Sequence, residues 1–83
     1  MKKELLNVKV VGRGCDKYFE LLGIVQKAFH NKKQMVTIEE VNDEKEISRL
    51  GIRQMPAVLV DGKMVVQGTM FETGLVMNAL KER

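Results

Sequence analysis

Apolar and polar positions along the chain change period several times, and each change marks an element. Leu5 to Val11 (LLNVKVV) is a β-branched apolar run of strand length that stops at Gly12-Arg13-Gly14. From Asp16 the apolar residues recur at helical spacing: Phe19, Leu22, Val25 or Gln26, and Phe29, with Leu21 and Ala28 beside them. Gly23 weakens the predicted helix by about 1 kcal/mol relative to alanine. Lys32 and Lys33 sit where it should end, a favourable place for cations near the negative end of its dipole. Met35 to Val41 (MVTIEEV) reads as a second strand. Asn42 and Asp43 then look like N-cap residues, and Asp43 with Glu46 has capping-box spacing. The short helix that follows carries Ile47 and Leu50 and stops at Gly51.

Ala57 to Val60 (AVLV) and Lys63 to Gln67 (KMVVQ) flank Asp61-Gly62, the signature of a tight antiparallel hairpin whose two turn residues need positive φ. Thr69 and Glu72 repeat the capping-box spacing and predict a last helix that buries Phe71, Leu75, Val76 and Leu80, with Gly74 as a local weakness. The order is strand, helix, strand, helix, strand, strand, helix. Its first strand–helix–strand unit is expected as a right-handed parallel crossover. An α/β fold follows, with a mixed four-stranded sheet and helices on both faces.

A chain of 83 residues is expected to form a single domain over 1–83, because nothing so short holds two independent cores. No apolar run approaches the roughly 20 residues of a membrane span. The start, MKKELLNVKV, lacks the apolar segment and cleavage site of a signal peptide, so a cytoplasmic location and no membrane partner are expected. The net charge of +3 is spread out, with only Lys2-Lys3 and Lys32-Lys33 adjacent, and tryptophan is absent. Nucleic-acid binding would want a basic stripe with aromatic platforms, and is not expected. One cysteine rules out an internal disulfide and a cysteine-rich zinc site; no metal or cofactor is expected.

That cysteine, Cys15, stands behind the Gly12-Arg13-Gly14 loop at the start of the first helix. Unpaired backbone N–H groups and the positive end of the helix dipole favour a thiolate at such a position. Arg13 and Lys17 add positive charge while Asp16 opposes it. The bland reading is a small buried hydrophobe, the common fate of a free cysteine. Met55-Pro56 holds the only proline. A proline can open a strand or form a tight cis turn, although the residues alone favour a trans proline that ends the preceding loop. Other candidates are weaker. His30 lies at the far end of the helix from Cys15; Glu39 and Glu40 are neighbours on a strand and face opposite ways. Met55, Met64, Met70 and Met77 read as core filling, and the Gly-x-Gly loop lacks the rest of a nucleotide fingerprint.

The opening strand running into Gly12-Arg13-Gly14-Cys15, the stretch Leu50 to Val60 (LGIRQMPAVLV), and Asp61-Gly62-Lys63 with Gly68 beyond carry a family resemblance. Over essentially the whole chain the sequence resembles the small, glutaredoxin-sized, thioredoxin-like proteins of bacteria and archaea called redox-active disulfide proteins. The resemblance implies a thioredoxin-like fold and a cis proline at Pro56 whose loop faces the active site. It implies Cys15 as the attacking residue, with Met55 and Pro56 close to it and helping to bind an extended peptide or thiol substrate. Gly14 and Tyr18 are expected to complete the substrate-binding surroundings, with Tyr18 walling the site and donating to the sulfur. The family's Cys-x-x-Cys is here Cys15-Asp16-Lys17-Tyr18, so tyrosine stands in place of the resolving cysteine. The expected function is monothiol exchange, with a mixed disulfide to glutathione or a partner protein. The alternative is a non-catalytic binding module of the same fold. A monomer or weak dimer is expected, and a third possibility is two copies cross-linked through Cys15.

Overall fold

The computed structural model describes residues 5–30 and 35–81. The expectations for Lys2, Lys3, Lys32 and Lys33 lie outside the described residues. Strands β1 (Leu5–Val11), β2 (Met35–Val41), β3 (Ala57–Val60) and β4 (Lys63–Gln67) form one sheet in the order β2-β1-β3-β4. β1 runs parallel to β2 and antiparallel to β3, and β3 pairs antiparallel with β4. Between β3 and β4 the turn residues Asp61 and Gly62 have φ of 51° and 84°, the left-handed pair that such a hairpin demands.

Alternation along the strands divides the core in two. Leu6, Val8 and Val10 of β1, with Val58 and Val60 of β3, pack on one face against helices α1 (Asp16–Phe29) and α3 (Thr73–Lys81). Val11, Val41, Ala57 and Leu59 pack on the other against Ile47 of α2 (Glu44–Arg49). The central strands are thus covered on both sides where β1 ends. Each fully buried aliphatic side chain there, such as Val11 or Val58, contributes about 1.5–3 kcal/mol.

The helices depart from their sequence signals in instructive ways. α1 buries Tyr18, Leu21, Ile24, Val25, Ala28 and Phe29, and runs on through Gly23. Its inner face is therefore turned by one residue from the expected one: Tyr18 points in and Phe19 is 57% exposed. Gly12 decides this, because the Tyr18 ring lies where a Cβ on residue 12 would be. The Phe19 ring then stands edge-on to Tyr18, with centroids 5.2 Å apart.

α2 realises half of its capping box. The Asp43 carboxylate accepts from the Glu46 N–H at 3.1 Å, while the Glu46 side chain turns to Arg49 at 3.1 Å and Lys9 at 3.9 Å. α3 corrects the sequence reading, since Thr69 does not open it. Gly68 donates to the Pro56 carbonyl at 2.9 Å and takes a φ of 96°, which steers the chain into a loop; the helix begins only after Glu72. Val76 and Leu80 are buried as expected, Phe71 is half-buried ahead of the helix, and Leu75 is 66% exposed. Leu75 sits about 100° around the helix from Val76, off the face that meets α1.

Candidate functional site

Register brings three connections to one end of the sheet. Val11, the last residue of β1, pairs with Ala57, which follows Pro56. Ala57 in turn pairs with Gln67, the last residue of β4. The Gly12–Cys15 loop, the 53–56 loop and the 68–72 loop therefore leave adjacent strands side by side.

Cys15 is the N-cap of α1, with φ −79° and ψ 171°, and it is exposed. Its carbonyl accepts from the Phe19 N–H at 3.2 Å. Gly14, exposed beside it, has a φ of 86°. The two cations expected near Cys15 are both in ion pairs. Arg13 binds Glu44 at 2.6 Å, and Lys17 binds Glu20 at 3.5 Å while lying 5.5 Å over the Phe71 ring. Both ion pairs are exposed, so each stabilises by only about 0.2–1 kcal/mol, yet each offsets positive charge near the sulfur.

Tyr18 corrects an expectation. It is only 3% exposed, and its hydroxyl donates to Glu40 Oε1 at 2.7 Å. A phenol has one proton to give, so it does not donate to the sulfur. Burial first, then the hydrogen bond to Glu40, then the carboxylate's charge hold the Tyr18 hydroxyl protonated well above the usual tyrosine range. Glu40 is the residue that sequence reasoning missed. A signal existed: Glu40 occupies the alternate-residue series Val36, Ile38, Glu40, whose first two members pack on the α1 side of the sheet.

The other half of the site is the proline loop. The Met55–Pro56 peptide bond is cis. Pro56 is buried, so it shapes the loop rather than offering a contact, whereas Met55 is half-buried against the Val11–Ile47 core. Gln67 Oε1 accepts from the N–H groups of Arg53 and Gln54 at 3.1 and 3.4 Å. Beside this loop opens a cleft of about 440 Å³ lined by Gln54, Met55, Gln67, Gly68, Thr69 and Met70. Met70 is 97% exposed, which corrects its expected place in the core; Met64 is exposed too, and Met77 packs at the core's margin.

His30 caps the opposite end of α1 from Cys15, about 20 Å away by helix rise, so the two form no catalytic pair. Among the described residues no group of three His, Cys, Asp or Glu side chains is placed to hold a metal ion. Nor is any described helix long and apolar enough to cross a membrane. Residues 6–81 match a protein family described as the thioredoxin domain. No curated protein matches the chain.

Proposed function

Because the chain belongs to the thioredoxin domain family, we propose that it carries out thiol–disulfide exchange through Cys15 alone, with glutathione or a partner protein. The observation that supports this reading is the placement of the chain's only cysteine. It is exposed at the start of α1, at the same sheet end as the Met55–Pro56 loop and its cleft. In this scheme Gly14 keeps the approach to sulfur open and Met55 meets the incoming chain.

The Cys15 thiolate attacks one sulfur of a disulfide. A bond from Cys15 to that sulfur forms, the original S–S bond breaks, and the departing thiolate takes a proton from water. Tyr18 stands where a second thiol would expel the captured group, and its hydroxyl is committed to Glu40. Release therefore falls to an outside thiol, glutathione or a protein cysteine. It attacks the mixed disulfide, regenerates the Cys15 thiolate and leaves as part of a new disulfide. A lone unpaired thiol suits a reducing, cytoplasmic setting.

Oxidised glutathione should add one glutathionyl group to the protein by intact mass, dithiothreitol should remove it, and Cys15→Ser should gain none. A protein left unmodified under these conditions refutes the reading. A second reading, a binding module without catalysis, draws on the exposed side chains of Phe19, Met70 and Leu75 at the same end of the sheet. It expects partner binding to survive Cys15→Ser. A dimer linked through Cys15 would show as a doubled mass that reductant collapses.

A further inference from the structure

Gln67 ends β4, yet its side chain serves a different segment. Its Oε1 receives the consecutive N–H groups of Arg53 and Gln54, at 3.1 and 3.4 Å. These two donors lie ahead of β3, outside the sheet ladder, and the Gln67 side chain supplies an acceptor that the ladder does not. The next residue, Gly68, donates its own N–H to the Pro56 carbonyl at 2.9 Å. Residues 67 and 68 thereby fasten both ends of the 53–56 segment, and Met55 is the residue held between the fastenings. Gln54, Met55 and Gln67 all line the cleft of about 440 Å³ beside it.

We infer that Gln67 is a positioning residue: it sets the Met55 loop in the orientation in which a disulfide-bearing chain docks next to Cys15. This inference rests on the exchange reading above. Gln67 is itself exposed, and exposed hydrogen bonds exchange readily with water, so their net stabilisation is modest. Losing the acceptor frees two adjacent donors to turn toward solvent. The loop reorients while the fold persists, because Arg53, Gln54 and Gln67 are exposed and belong to neither core cluster. Docking suffers, and the intrinsic reactivity of the thiol does not.

The test uses the full chain and an uncharged synthetic peptide whose single cysteine is blocked as a disulfide with thionitrobenzoate. Attack by the Cys15 thiolate joins the peptide to the protein and expels coloured thionitrobenzoate, which is followed against peptide concentration. Gln67→Leu removes the acceptor at similar size; Gln67→Glu keeps an oxygen there. For Gln67→Leu the half-saturating peptide concentration should rise about three- to tenfold, with maximal rate and Cys15 alkylation by iodoacetamide each within about twofold of the unmodified protein. Gln67→Glu should restore docking. Unchanged half-saturation in Gln67→Leu overturns the inference, as does a parallel fall in alkylation or a Gln67→Glu variant as impaired as Gln67→Leu. Those outcomes leave the unmodified protein active. If the unmodified protein alkylates but attacks no peptide disulfide, the exchange reading itself falls and this inference falls with it.

Discussion

The Cys15 side of the site and the Met55–Pro56 side are fastened to opposite edge strands, and by different kinds of contact. On the cysteine side a buried aromatic ring, Tyr18, is pressed onto Gly12 and tied by its hydroxyl to Glu40 of β2. On the proline side the ties are exposed hydrogen bonds from the loop backbone to Gln67 at the end of β4, with Gly68 completing them. Burial of a large ring is worth several times an exposed hydrogen bond. The helix that carries the sulfur is therefore part of the core, while the Gln67 ties on the proline side can be altered at little cost to stability. The proposed docking site thus has one wall anchored in the core and one held by exposed hydrogen bonds.

Substitutions on the two sides should separate accordingly. Tyr18→Ala is expected to cost about 3–5 kcal/mol, the range for emptying an aromatic's place in a core, whereas Gln67→Ala should cost less than about 1 kcal/mol. Urea unfolding of both variants compares them directly, and equal losses would erase the distinction drawn between the two walls. Gly12→Ala should cost about 1–3 kcal/mol by overpacking, because its Cβ would lie 3.0 Å from Tyr18 Cγ and 3.2 Å from Tyr18 Cβ, and nearer still to the ring edge. Pairing it with Tyr18→Ala sharpens the test. If the ring is what the methyl meets, the Gly12→Ala penalty should largely vanish in the double variant.

Tyr18→Phe keeps the ring and removes only the tie to Glu40. Its expected loss near neutral pH is about 0.5–1.5 kcal/mol. The pH dependence carries the sign of the raised Tyr18 pKa. The native chain holds the phenolic proton to higher pH than the unfolded chain, so this stabilisation is complete below the unfolded tyrosine value of about 10 and is lost as pH climbs beyond it. Tyr18 is the chain's only tyrosine. Tyr18→Phe should therefore flatten the alkaline limb of stability against pH, and an unaltered limb would show that the Glu40 bond does not hold the proton. The smallest effect is expected from Arg13→Ala, whose exposed pair with Glu44 should be worth about 0.2–1 kcal/mol and fade with added salt.

Much of the architecture was legible along the chain. The four strands, the Asp61-Gly62 turn and the Asp43 cap each rest on a few neighbouring residues, and they stand where the pattern places them. Legibility failed where a local signal had to compete with a distant one. Thr69 and Glu72 have good capping spacing, but Gly68 is tied to Pro56, and that tie delays α3 to Thr73. At the site, the location of Cys15 at a strand-to-helix turn was readable from its glycine loop. The alternation Val36, Ile38, Glu40 signalled the face on which Glu40 lies, but neither its partner nor that of Gln67 was readable, because each contacts a residue remote in sequence.

Taken alone, the sequence determined the order of elements, the mixed sheet and the single thiol at the head of α1, since all of these follow from periodicity, turn chemistry and residue count. The tertiary structure alone decided which of Tyr18 and Phe19 enters the core, where the Tyr18 proton is given, and which side chain holds the Met55 loop. Both aromatics fit a helical stripe equally well. The choice between them was made by a bare backbone at Gly12 on a neighbouring element, and contacts of that kind exist only once the chain has closed on itself.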